Sequence, residues 1–203
     1  QKQLKHALDF ATSNRLELEI LLQHYTYDSL KLEAAKFLIR NMPHCYSYQQ
    51  GGEMDSVKRV RTYYSPFGQI DQTYARRWGH YTYRNLPKIY DAHIITAEYL
   101  IDNIDRAFDN WQKRPWNRSL SFEDFCEYLL PYRIWDEPLE EWRELYEKKY
   151  GYLLDSIYKG SDVVEAANLV SRHLQEPVFI YCEDFELPHI GPRYLFSHRY
   201  GSC

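Results

Sequence analysis

Apolar positions recur at helical spacing along most of the chain. Residues 3–11 and 14–25 read as two short helices, the second carrying Leu18, Leu21, Leu22 and Tyr25 on one stripe. Asn14 and Glu17 stand in the pattern of a capping box at its start. A third helix is expected over about 28–41, with Asp28 as N-cap, Leu30, Ala34, Phe37 and Leu38 on one side, Arg40 in the last turn and Pro43 beyond its end. Gly51-Gly52 marks a loop. From Met54 to Leu86 the periodicity fades. Pro87 then opens the longest predicted element, in which Ile94, Ala97, Ile101, Ile104, Phe108 and Trp111 step by three and four through about 25 residues. Ile101 and Phe108 are its expected core positions.

The second half repeats the theme. Ser121 and Asp124 form a second capping-box pattern ahead of Phe122, Phe125, Tyr128 and Leu129, with Cys126 inside the helix and Pro131 stopping it. Pro138 at a first helical position, followed by Glu140 and Glu141, predicts a helix to about Tyr158 that buries Leu139, Trp142, Tyr146, Tyr150, Leu153 and Ile157, closed by Gly160. Asp162 and Glu165 cap the next, with Val163, Ala167, Val170 and Leu174 inward and Pro177 after it. Val178 to Cys182 reads as extended, and the apolar run 194–196 as a surface connector. The fold class is therefore mainly α, a multi-helical array with a long central helix and an irregular C-terminal segment. Its expected organisation is a short-helix array at 1–50, an irregular aromatic and basic connector at 51–86, a helical core at 87–176 and an extended lead-in at 177–203.

Composition changes this picture in one respect. The chain has 203 residues, 44% of them hydrophobic, enough for a core without covalent staples. Its 20 Tyr and 5 Trp are an unusual load of large rings with polar handles. Arg76, Arg77, Trp78, Tyr81 and Tyr83 mix planar cations with π-faces and are a candidate ligand-binding group for a glycan or an anion. The alternative is that these rings pack on the helices while the arginines pair with the acidic surplus. A net charge of −4 with both signs interspersed argues against a nucleic-acid partner. No apolar run has the length of a membrane span. A first residue other than Met points to a processed chain, with cytoplasm and export both open.

The four cysteines, Cys45, Cys126, Cys182 and Cys203, show no C-x-x-C pair, and the eight histidines form no H-x-x-x-H pair. Cys182, Glu183, Asp184, His189 and His198 are donors of the right kind but match no metal module, so no metal and no cofactor is expected. For a nucleophilic thiol, Cys126 is a helix-interior residue, and Cys45 and Cys182 lack a presenting turn. Cys203, after the tight Gly201-Ser202 turn, has the lead-in of a nucleophile.

The segment Leu195-Phe-Ser-His-Arg-Tyr-Gly-Ser-Cys203 resembles the approach to the catalytic helix of transglutaminase-like proteins, the papain-related cysteine superfamily, where a G-x-C turn presents the thiol. Asn14-Arg-Leu-Glu-Leu-Glu19, Lys36-Phe-Leu-Ile-Arg-Asn-Met-Pro43 and Phe122-Glu-Asp-Phe-Cys-Glu-Tyr-Leu-Leu-Pro-Tyr-Arg133 resemble the helical N-terminal region of bacterial, usually exported, proteins that carry such a domain. The resemblance implies Cys203 as nucleophile toward a glutamine carboxamide or peptide carbonyl. Its His and Asp partners would lie in a C-terminal catalytic domain beyond residue 203, so the 203 residues are expected to be a catalytically incomplete accessory scaffold. The competing expectation is a non-enzymatic helical module that binds glycans or proteins through Trp78, Tyr81, Tyr83, Trp116 and Trp135.

Overall fold

A computed structural model gives the fold and describes residues 1–55, 83–115, 117, 120–175, 180–181, 191–198 and 200–201. Among these, 72% are helical and 4% lie in strands, against roughly one-third helix in an ordinary domain. Three helices come first: α1 (Lys2–Phe10), α2 (Arg15–His24) and α3 (Ser29–Asn41). Asp28 caps α3 as expected, its carboxylate accepting from Lys31 N at 3.1 Å. The Asn14–Glu17 capping box does not form. Both side chains are drawn across the fold instead. Asn14 Nδ2 donates to Ala92 O and Ile95 O at 3.0 and 2.8 Å, and Glu17 accepts from Ala97 N at 2.7 Å. A carboxylate at that N–H complements the helix dipole, so Glu17 caps a helix 80 residues downstream.

That helix is α4 (Ala97–Lys113), at 17 residues the longest described. It starts ten residues after Pro87, a correction to the predicted start. Lys88–Tyr90 forms β2, which pairs antiparallel with β1 (Tyr46–Tyr48) in the register Tyr46↔Tyr90, Ser47↔Ile89, Tyr48↔Lys88. Pro87, lacking an N–H, lends only its carbonyl, which accepts from Gln49 N. Thr96 is the true N-cap, accepting from Tyr99 N. Ile94, ahead of it, is exposed, whereas Ile104 and Phe108 are buried and Ile101 is half-buried.

Ser121 and Asp124 do form their capping box, opening α5 (Phe122–Asp124), which runs on into a π turn, Phe125–Leu129. The wider turn changes the phase of the stripe: Phe125 and Cys126 are buried, but Tyr128 points to solvent. Helix α6 (Arg143–Tyr152), extended by the π turn Leu153–Ile157, starts five residues after Pro138. The predicted first turn is instead an extended bend tied down by tertiary bonds, Tyr99 OH to Glu140 O at 2.9 Å and Trp142 Nε1 to Tyr132 O at 2.8 Å. In α7 (Val163–Gln175) Asp162 accepts from Val164 N, as a cap should. Ala166 is buried there, while Val163 and Ala167 face solvent, so the inward stripe is shifted from the predicted one. The parallel pair β3 (Ile180–Tyr181) and β4 (Tyr200–Gly201) flanks α8 (Pro192–His198), a helix where a surface connector was expected.

One core draws on α1 to α5, from Ala7 through Leu21, Ile39, Leu100 and Phe108 to Tyr132. At its far end Trp111 stacks on Phe125 with ring centroids 4.5 Å apart, and Phe108 meets Phe125 edge-on at 4.7 Å. Arg143 joins this body to α6. Its guanidinium donates to Asn103 Oδ1 at 2.6 Å and to the carbonyls of Leu129, Leu130 and Pro131, closing the open C-terminal end of the α5 segment. Burial pulls its pKa down to about 10, opposed by Tyr99 and Asp102.

Phe108→Ala is expected to cost about 3–5 kcal/mol in urea unfolding, and Ile101→Ala, half-buried, distinctly less. Equal losses at the two positions would contradict the orientation of α4.

Candidate functional site

Among the described residues, two places combine side-chain chemistry with a defined geometry. The first lies where the β1–β2 ribbon ends. Asp91 N donates to Cys45 O at 3.1 Å, which pairs the two residues just beyond the strand ends, near enough for the Asp91 charge to act on the Cys45 thiol. Asp91 is fully buried. Arg133 Nη1 donates to one of its oxygens at 2.5 Å and Tyr132 OH to the other at 3.0 Å. The bend after α5 supplies both partners, because Pro131 ends that segment and turns the next two residues into the body. Burial pushes the Asp91 carboxyl up, against the pull of Arg133 and Tyr132. The Tyr132 hydroxyl is pushed far up by burial and then by Asp91.

Cys45 sits on a cleft of about 260 Å³ together with Phe37, Leu38, Asn41, Glu127, Pro131, Tyr132 and Arg133. Its thiol is raised by burial first and by Asp91 second. Cys126 is pushed up to about 11, again chiefly by burial. Both are therefore held as neutral thiols at neutral pH, which is the wrong poise for a nucleophile.

The second place is the docking of the C-terminal segment. Glu140 accepts from Arg193 N at 3.0 Å, Arg193 Nη1 donates to Glu141 O at 3.1 Å, and Tyr146 OH donates to Pro192 O at 2.8 Å. Phe196 lies edge-on to Tyr146 and Tyr150, with Lys149 Nζ 4.3 Å from its ring centre. A Cβ at Gly191 would come within 2.5 Å of Glu140 Oε2 and 2.9 Å of Pro138 Cγ, so the approach needs a residue without one. The bend 138–142 thus bonds inward to Tyr99 and Tyr132 and outward to α8.

Of the residues singled out from sequence, Cys203, Arg76, Arg77, Trp78, Tyr81 and Trp116 lie outside the described residues, as do Cys182, Glu183, Asp184 and His189. Tyr83 is buried and packs edge-on against Tyr48, so its ring is committed to a small second cluster with Met54 and Leu86. Trp135 is 78% exposed, at φ 50°, beside the exposed Ile134. Asp91, Tyr132 and Arg133 have no signature as a site in the sequence, because an acid and a base 42 positions apart carry no joint pattern. Gly191-Pro192 did carry a usable signal, a proline at a first helical position.

Among the described residues no cluster of His, Cys, Asp and Glu has the geometry to hold a metal, and no helix is long and apolar enough to cross a membrane. No family model, no curated protein and no solved structure matches the chain.

Arg133→Met leaves the buried Asp91 carboxylate without its counter-charge and is expected to cost about 3–5 kcal/mol at pH 7. Folding of that variant favours neutral Asp91, so the deficit is present above the ordinary carboxyl pKa of about 3.9 and narrows as the pH falls toward it. Urea midpoints from pH 4 to 8 measure this, and a deficit that does not change with pH would mean that Asp91 is not the charge left behind. Iodoacetamide should alkylate Cys45 more slowly than free cysteine at pH 8, with a rate still climbing at pH 9.5, as mass mapping would read.

Proposed function

We propose that this chain is the helical scaffold region of a transglutaminase-like protein and that its work is to position the segment leading to Cys203 rather than to react itself. The observation that carries the reading is the docking of α8. Backbone and ring contacts from 138–150 hold Pro192 to Phe196, and β4 then aligns Tyr200 and Gly201 beside β3, immediately before Ser202-Cys203. A nucleophile needs its backbone fixed relative to the groups that activate it, and a rigid helical wall supplies that fixing. Cys45 and Cys126, both raised by burial, are poised as neutral thiols rather than as nucleophiles. Its partner would be the catalytic domain that carries the activating groups, and its substrate a glutamine side chain or peptide bond.

A second reading, a binding module for glycans or proteins, is favoured by Trp135, which is 78% exposed. Titration with soluble glycans while following tryptophan emission distinguishes it, since Trp135→Ala would abolish the response.

The scaffold reading is tested by assaying the 203 residues for amine transfer to a glutamine peptide and for peptide hydrolysis. No turnover is expected, and turnover lost in Cys203→Ala would overturn it. Separately, Gly191→Ala should clash with Glu140 and release α8. Amide hydrogen exchange across 192–198 is expected to rise at least about tenfold, the equivalent of roughly 1.4 kcal/mol of lost local stability, with the α4 amides unchanged. Unaltered exchange at 192–198 would remove the docking on which the reading stands.

A further inference from the structure

Arg133 carries an unmet requirement. Its side chain is 4% exposed and Nη1 is committed to Asp91, but Nε and Nη2 have no acceptor. Those two N–H groups form one edge of the guanidinium, a fork of parallel donors matched to the two oxygens of a carboxylate. A buried donor without an acceptor costs about 1–3 kcal/mol, so the fold carries this edge at a loss unless something completes it. Arg133 also belongs to the wall of the cleft of about 260 Å³ between α3 and the bend after α5. Phe37, Leu38 and Pro131 make much of that wall apolar, and Glu127 stands at its exposed side.

We propose that this cleft binds a small carboxylate with a compact apolar tail. The carboxylate accepts from Arg133 Nε and Nη2, while the tail lies against Phe37, Leu38 and Pro131. Both nitrogens are covered in the described conformation, so binding as proposed requires the guanidinium to turn its open edge outward about its Asp91 contact. The Asp91–Arg133 pair is neutral as a unit, so affinity rests on the paired hydrogen bonds and the apolar walls. Glu127 opposes the ligand's charge. A cleft of this volume falls just under the usual range for drug-sized ligands, about 300–1,000 Å³, which restricts the occupant to a small acid. The site does not rest on the scaffold reading, and none of its lining residues touches α8.

Benzoate and its neutral counterpart benzamide are the probes, titrated into the whole chain by calorimetry, with the iodoacetamide rate at Cys45 as a local readout. Saturable benzoate binding that slows Cys45 alkylation, with benzamide at least about tenfold weaker for want of a second oxygen, is the expected result. Asn41→Trp, at an exposed lining position, should fill the cleft and weaken benzoate at least about tenfold without touching the core. Glu127→Gln should tighten it by about two- to fivefold, the scale of one exposed charge. These two variants avoid the folding defect of Arg133→Met. Absence of saturable binding, equal affinity for benzamide, or an Asn41→Trp variant that binds as well as the parent would each overturn the proposal, and the first would leave water as the occupant of the open edge.

Discussion

The contact between Asp91 and Arg133 ties together parts of the chain 42 positions apart. Asp91 ends the β1–β2 ribbon, and Arg133 follows the proline bend after α5. Taking both charges out of water is costly, and their attraction recovers that cost only with good geometry and further hydrogen bonds. Tyr132 supplies one such bond, yet two guanidinium nitrogens stay without an acceptor. The pair is thus better understood as fixing where the bend sits than as a source of net stability. Packing around it carries the stability: Leu38, Met42, Ile95 and Leu130 are all buried in the same core.

Arg143 plays the complementary part with neutral acceptors. It gathers three carbonyls left open at the end of the α5 segment, together with Asn103 on α4. A planar cation with several fixed donors is suited to this, since one side chain can meet carbonyls that point in different directions. Arg114, at the end of α4, instead forms an ion pair with Asp155 in the π turn after α6. Irregular stretches of chain are therefore secured by buried and half-buried arginines, while the regular helices are secured by apolar stripes.

This division explains what the sequence revealed. Helical stripes are local, so α1 to α4 and the Ser121–Asp124 box were legible from spacing and capping residues. Helix starts were not, wherever a side chain had a better partner far away. Asn14 and Glu17 left their own helix to cap the turn and helix at 92–97, and the 87–96 and 138–142 stretches gave up helical bonds for a strand pair and for bonds to Tyr99 and Tyr132. The π turn at Phe125–Leu129 moved Tyr128 off its stripe for a related reason, a change of phase that residue spacing alone does not encode. The cleft was invisible in the sequence because its residues come from α3, the ribbon end and the bend.

The same division bears on how the body holds its C-terminal segment. Tyr132, fixed by Asp91, offers its carbonyl to Trp142, and Tyr99 holds Glu140 by the backbone. Glu140 then turns its carboxylate to Arg193 N, and Gly191 lets the chain come close enough to be met. Each step is a contact between residues whose other side is anchored in the body, so α8 is placed by a connected series of fixed groups rather than by a flexible tether. Phe196, seated against Tyr146 and Tyr150, adds apolar burial to that alignment. A helix of seven residues has little stability of its own, and its existence at this position follows from the surface prepared for it.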